Sequence, residues 1–347
     1  MTMSTSQHED NDTFKILIAT DIHLGFKHMD PVRGRDSMKT FEEVLHLAGK
    51  NEVDFVLLGG DLFHENKPPR AVMHGCLQLL RKYCVGDSCQ SFQILNTDTS
   101  VSHPLTNTDN DPNLNISMPV FSIHGNHDEP TGPQLLSALD IIETAGLIRY
   151  FGKTSFDEEI RVTPLLLKKG RTKLALYGIG YVRSDKLHQM YVKKAVTLTR
   201  PEQDKDDWFN VFVLHQNRVK RPDKSHVEES FIDDFIDLVI WGHEHESKMT
   251  LARSSAGTYR VIQPGSTIAT EFKPSEMSQK HVGLLTIRGR HCELKPIPLQ
   301  TVRRLYIETH TPSVETAPSS VQDDEAAVKR LISHCEARVE ALLSEAG

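Results

Sequence analysis

Residues 119–128 read PVFSIHGNHD. An apolar run stops at Gly125-Asn126-His127-Asp128, so an amide, an imidazole and a carboxylate fall where a strand would end. Four further segments follow the same plan. ILIAT leads into Asp21-Ile22-His23, FVLLG into Gly60-Asp61, NVFVL into His215, and LVIW into Gly242-His243-Glu244-His245. Polar groups delivered from five strand ends to one edge of a sheet can meet at a single point. A pair such as Asp21 and His23, two apart in an extended strand end, is expected to face one side. The same holds for His243 and His245.

Strands are expected over 15–20, 54–60, 119–124, 173–179, 209–214 and 237–241. The spacing of Met38, Phe41, Val44, Leu45 and Ala48 predicts a helix over 37–49, and a second is expected over 70–83. A third is expected over 133–146, opened by Pro133 and closed by Gly146. Strand alternating with helix predicts a largely parallel sheet, and shorter strand-like runs follow Trp241. The fold expected is a layered α/β sandwich flanked by helices. Residues 1–13 read as a flexible tail. The polar stretch 84–118 is longer than most connections and reads as a functional or unstructured insertion. Residues 309–323 look like a linker. The apolar stripe Val328, Leu331, Ile332, Cys335, Val339, Leu342 and Leu343 needs a cover, either the main domain or a second domain cut by the end of the chain.

The 347 residues suffice for one large domain, and 38% hydrophobic with 25% charged residues is ordinary globular composition. No run approaches a membrane span, and the polar N-terminus does not resemble a signal sequence. Five cysteines without metal-knuckle spacing point to reduced thiols and an intracellular home. A net charge of −7 excludes a generally basic, polyanion-binding surface. Any such binding must be local.

Asp21, His23, Asp61, Asn126, His215, His243 and His245 form a donor set of two carboxylates, one amide and four imidazoles. If one carboxylate is shared, seven groups serve two ions with four donors each. Mixed nitrogen and oxygen donors suit Mn, Fe or Zn better than Mg or Ca. Two divalent ions against two aspartates leave positive charge, which attracts phosphate despite the acidic surface. Paired ions of this kind clamp in-line displacement at phosphorus. His127 adjoins Asn126 without being needed as a ligand and is the candidate proton donor to the leaving oxygen. His64 could orient substrate or water from behind the ligands, and His124 reads as a satisfied core residue.

In order, the five segments resemble the calcineurin-like metallophosphoesterase superfamily. TDIHLGF, DPVRGRDS, VDFVLLGGDLFHENKPPR, PVFSIHGNHDEPTG, WFNVFVLHQNR, DDFIDLVIWGHEHE and VIQPGSTIAT narrow the resemblance to the eukaryotic meiotic-recombination-eleven family, relatives of bacterial SbcD. It covers residues 14–302. The resemblance implies a nuclear, manganese-dependent nuclease with two Mn2+ per protomer, acting on DNA ends as a 3′→5′ double-strand exonuclease and single-strand endonuclease. One ion would be held by Asp21, His23, Asp61 and His245, and the other by Asp61, Asn126, His215 and His243. His64 matches a histidine tied to exonuclease activity. The family also implies a homodimer through helices 70–83 and 133–146, an SMC-like coiled-coil ATPase partner, and nibrin binding through 84–118. Residues 303–347 resemble the start of a DNA-capping domain, cut short.

Lys27, Arg33, Arg35, Lys67, Arg70, Arg218 and Lys220 follow donor strands and are expected as phosphate-backbone contacts on the rim. Two rivals remain in view. A phosphoprotein phosphatase would carry GDxxDRG and GNHE where this chain has GDLFHEN and GNHDEP. A DNA-end tethering scaffold for the ATPase would not need an intact donor set.

Overall fold

Strand β1 (Phe14–Ala19) turns Ile16 and Ile18 to one face and Leu17 and Ala19 to the other, and all four are buried. A strand apolar on both faces belongs inside a layered structure. The computed structural model describes residues 11–95, 114–154, 159–220, 225–309 and 324–346, and builds two packed sheets. The first is six-stranded, in the order β15 (His291–Pro298), β14 (His281–Arg288), β1, β2 (Phe55–Gly59), β4 (Val120–Ile123) and β5 (Arg149–Tyr150). Strands β1, β2, β4 and β5 run parallel, and β14 and β15 add an antiparallel edge.

The second sheet is seven-stranded. Its order is β12 (Lys248–Arg253), β13 (Arg260–Gln263), β11 (Leu238–Gly242), β10 (Trp208–His215), β8 (Thr172–Ile179), β7 (Leu165–Lys169) and β3 (Gln93–Ile94). Strands β8, β10, β11 and β13 are parallel. A small pair, β6 (Ile160–Val162) and β9 (Val196–Leu198), stands apart. Phe14, Ile16, Ile18, Phe55 and Leu57 pack with Val211, Val213, Leu238 and Ile240 in one core cluster, which joins the sheets face to face. The donor strands therefore come from two sheets, where the sequence suggested one edge.

Helix α1 (Asp36–Lys50) buries Phe41, Val44, Leu45 and Ala48, and α2 (Arg70–Cys84) buries Val72, Cys76, Leu80 and Cys84. Both join the core on the outer side of the first sheet. The third helix differs from expectation: α3 spans only Ala138–Thr144. Ser137 Oγ accepts from Leu139 N at 2.9 Å and Ser137 N donates to Asp140 Oδ2 at 2.7 Å, a capping box that starts the helix after Pro133. Upstream, Thr131 and Leu136 exchange backbone bonds, and Leu135 has a left-handed φ of 50°. Leu135 and Leu136 are thus exposed turn residues. Helix α4 (Ser184–Val192) sends Leu187 and Met190 into the core cluster that includes Tyr177, Phe212 and Trp241.

The stems of the 84–118 insertion are well tied. Val85 bridges Ile116, Ser117 N donates to Cys84 O at 2.9 Å, and β3 extends the second sheet. Residues 96–113 lie outside the described residues, and so does most of the nibrin expectation. Part of the expected tail is anchored: Asp12 takes the Arg171 backbone N–H at 2.8 Å and Arg171 Nε at 2.7 Å. Helix α5 (Asp324–Ala346) leaves Val328, Ile332, Val339 and Leu343 exposed, so the main domain does not cover that stripe. The expected linker lies almost wholly outside the described residues. No described helix is long and apolar enough to cross a membrane.

Candidate metal centre

His215 is the last residue of β10, and the other donors follow their strands by one to four residues, where the chain turns sharply. Asp21, His23, Asp61 and His243 all have left-handed φ, between 52° and 79°. Such conformations are uncommon outside glycine, and surrounding bonds must hold them. Asp21 N donates to Gly60 O at 3.1 Å, His23 N to Asp61 O at 3.0 Å, and His243 N to Asp21 Oδ2 at 3.1 Å. These kinks, rather than an extended alternation, aim Asp21 and His23 at one point.

Glycines allow the close approach. Gly60 has φ +98°, and a Cβ there would strike the His215 ring. A Cβ on Gly125 would overlap the Asp61 carboxylate. Gly125→Ala is therefore expected to cost about 1–3 kcal/mol of stability and to displace Asp61, with a lower melting temperature and weakened divalent-ion binding. Wild-type melting and ion affinity in this variant would contradict the packing described.

The donors separate into two groups whose ligand atoms lie within 4.8 Å of one another: Asp21, His23 and His245, and Asp61, His215 and His243. His243 and His245 thus part company, because the left-handed residue 243 turns them to different groups. Asn126 Oδ1 lies 3.3 Å from His215 Nε2, which places it with the second group. Asp61 Oδ2 stands 3.3 Å from His215 Nε2 and 3.8 Å from His23 Nε2, so it faces both. A third grouping, His23, His64 and His127, contains no carboxylate.

Tautomers test whether cations fit. His215 Nδ1 must donate to Gly59 O at 2.9 Å, so in the neutral ring the lone pair is on Nε2. That lone pair faces the oxygens of Asp61 and Asn126. His243 Nε2 donates to Asn217 Oδ1 at 3.0 Å, and the Asn217 amide is oriented by Nδ2 donating to Ser225 O at 2.9 Å. Asp21 Oδ1 is buried with no hydrogen-bond partner, 3.6 Å from His245 Nε2 and 3.9 Å from His215 Nε2. Lone pairs converging on a buried, orphaned carboxylate oxygen need a positive charge among them. The donor set fits divalent cations.

Burial pulls His23 well below the usual imidazole range. Burial and the neighbouring His215 bring His243 down to about 4. His215 is pushed the other way: against the pull of burial, the Asp61 and Asp21 carboxylates raise it to about 10, so a cation held by its Nε2 must displace a proton there. Burial opposes ionisation of Asp61, but His215 holds it below the carboxylate range. Burial and the charge on Asp61 lift Asp128 to about 7. Asp128 accepts from Gly125 N at 2.7 Å and Phe63 N at 3.2 Å, clamping the loop that carries Asn126.

His127 and His64 stand beside the donors. Their rings stack, with centroids 4.8 Å apart. His127 N donates to Asp61 Oδ1 at 2.8 Å, and His127 Nδ1 donates to His64 O at 2.7 Å. Its Nε2 is therefore the atom left for proton exchange. His64 Nδ1 is 3.3 Å from His23 Nδ1, and burial and His127 lower its pKa. His124 meets Tyr150 Oη at 2.7 Å and Tyr181 O at 3.3 Å, a satisfied core residue as expected.

Several functional residues escaped the sequence reading: Asn217, Asp128, Glu276, Lys280 and Thr270. Asn217 lies within the quoted WFNVFVLHQNR stretch, two residues after His215, but nothing in the sequence brings Glu276 to His245. Of the expected phosphate contacts, Lys27, Arg35, Lys67, Arg70 and Lys220 are exposed. Arg33 is half-buried, donating to Ala269 O at 3.0 Å and lying over Phe26. Arg218 departs from expectation. Its guanidinium is held by Glu229 at 2.8 Å and Gln263 at 2.9 Å above Trp241, and it braces the loop after His215 instead of facing open solvent.

Two sheets with metal donors at their adjoining strand ends define a metallophosphoesterase. The calcineurin-like phosphoesterase family model matches residues 14–247, and the chain belongs to that family. The chain is 50% identical over 348 residues to the mouse double-strand break repair protein MRE11, covering 99% of this chain and 49% of that protein. It is 50% identical over 351 residues to the human protein of the same name, again covering 99% and 49%. The Neurospora crassa double-strand break repair protein mus-23 is 46% identical over 295 residues, 84% of this chain and 40% of that protein. The chain thus spans about half the length of the curated relatives it matches.

Proposed function

We propose that the protein is a manganese-dependent DNA nuclease that hydrolyses phosphodiester bonds at double-strand breaks, as a 3′→5′ double-strand exonuclease and single-strand endonuclease. One observation carries the reading: buried and half-buried donors from five strand ends divide into two groups that Asp61 faces together. The names of the relatives direct that chemistry to broken DNA.

Asp21, His23, Asp61 and His245 would hold one Mn2+, and Asp61, Asn126, His215 and His243 the other. When bound, the ions would supply positive charge against the charge that develops on the phosphoryl oxygens and would activate water. The protein's own groups do the rest. Gly59 O, Asn217 and Glu276 fix ring orientations, and Asp128 holds the Asn126 loop. His64 O accepts from His127 Nδ1, so His127 carries its exchangeable proton on Nε2 and delivers it to the leaving oxygen. The stacked His64 ring limits the angle at which His127 can stand.

Linear duplex DNA labelled at its 5′ ends and incubated with Mn2+ tests the reading. Progressive shortening from the 3′ ends is expected, and chelator should abolish it. Protein that binds two ions per chain yet leaves every DNA form uncut overturns the nuclease reading in favour of end tethering.

Lys27, Arg35 and Lys67, all exposed beyond donor strands, would contact the DNA backbone. Replacing the three by Ala is expected to weaken duplex binding and to flatten the plot of log K against log salt. Its slope should shrink by roughly 0.9 for every phosphate that is no longer neutralised. An unchanged slope removes these residues from the interface. Exposed Leu135, Leu136 and Ile141 support a homodimer through α2 and the 133–146 segment, in which turn residues as well as α3 would take part. An SMC-like ATPase and nibrin as partners, with nuclear localisation, complete the reading. Residues 303–347 would begin the DNA-capping domain.

A further inference from the structure

The single turn of 3-10 helix Pro274–Glu276 lies far in sequence from every donor, yet it closes the centre on one side. Glu276 Oε1 is 3.0 Å from His245 Nδ1. Its other oxygen, Oε2, is 2.5 Å from Lys280 Nζ. Both charged side chains are almost completely buried, at 1% and 2% exposure. Lys280 also donates to His245 O at 3.1 Å and to Ser266 Oγ at 2.9 Å, so it grips the backbone of the same residue whose ring Glu276 faces. Thr270 Oγ1 lies 3.0 Å from His245 Nδ1 and 3.5 Å from Glu276 Oε1.

A buried ion pair is a poor source of stability. Desolvating two charges costs about as much as their attraction returns, and apolar residues of similar volume often do better. Its geometry here is specific to His245. A carboxylate can only accept, so it selects the tautomer with the proton on Nδ1 and leaves the Nε2 lone pair on the side of Asp21 and His23. Lys280 keeps the carboxylate in place from behind.

We infer that Glu276, braced by Lys280, is a positioning residue that sets the tautomer and orientation of His245 and so tunes the affinity of one of two divalent-ion positions. The inference rests on the two-ion reading above. It differs from the constraint on the other group, where Gly59 O and Asn217 orient His215 and His243. Glu276 therefore acts on one position and leaves the other alone.

The test is Mn2+ titration of the full chain, with free ion followed by its electron paramagnetic resonance signal, on wild type, Glu276→Gln and Glu276→Asp. Gln keeps an acceptor oxygen but loses the charge. Asp keeps the charge beside Lys280 but withdraws from His245. Wild type should bind two ions. At least one variant should bind one ion about tenfold or more weaker and the other as in wild type, with a metal-free melting temperature close to wild type. If Gln prevents folding, the Asp variant decides alone. Two variants that bind both ions with wild-type affinity overturn the inference, as does an equal loss of both ions accompanied by a lowered metal-free melting temperature. Wild type that binds no ion would instead overturn the metal-centre reading itself, so the two failures are distinct.

Discussion

Asp61→Asn should stop hydrolysis and empty both ion positions while leaving the protein folded. The carboxylate is buried, with Oδ2 toward His215 and His23 and Oδ1 accepting the His127 N–H. Asn retains an oxygen for that N–H and tolerates the left-handed φ of 52° that the position demands. What it loses is the negative charge shared by the two groups. Without it, Asn126 and four imidazoles would surround ions with only Asp21 as an anion. Losing the several kcal/mol that such ions supply to a phosphoryl transition state lowers the rate by about a thousandfold or more. The measurements are Mn2+ stoichiometry and duplex cleavage under saturating substrate. A variant that still binds two ions and cuts within a factor of ten of wild type would show that Asp61 does not serve both.

The strand ends were legible because burial on both faces writes itself as unbroken apolar runs. ILIA and FVLLG could be only central strands, and the polar residues after them could be only at an edge. Helix α1 was equally plain from its spacing. What escaped was set by bonds between distant residues. The left-handed turns at Asp21, His23 and His243 exist because Gly60 O, Asp61 O and Asp21 Oδ2 hold them, and no local pattern announces them. Pro133 suggested a helix start, but the Ser137–Asp140 capping box was the stronger signal and lay five residues into the expected helix. Arg218 read as a free cation because its partner Glu229 lies 11 residues further on and is brought to it by the fold. Glu276 sits 31 residues from the histidine it faces. Local pattern thus picked out candidate donors that the fold brings together, while tertiary bonds decided how each is aimed.

His127→Asn separates ion binding from proton transfer. His127 is no member of either carboxylate-bearing group, so the variant should still bind two Mn2+. Its Nδ1–H is committed to His64 O, and that carbonyl stabilises the ring when Nε2 is also protonated. Asn cannot carry a proton to a leaving alkoxide, so cleavage of DNA should fall by about 10²–10⁴-fold. The loss should depend on the leaving group. A thymidine p-nitrophenyl phosphodiester departs as a phenolate that needs no proton, and His127→Asn should cleave it within about tenfold of wild type. Equal losses on both substrates would mean that His127 acts on the ions or on phosphate binding, and not on the leaving oxygen. Loss of bound Mn2+ in the variant would return His127 to the third grouping, with His23 and His64, as a ligand. His64→Ala sharpens the distinction. It deletes the stacked ring but keeps the backbone carbonyl that holds Nδ1, so it should lower the rate less than His127→Asn while preserving the same dependence on the leaving group.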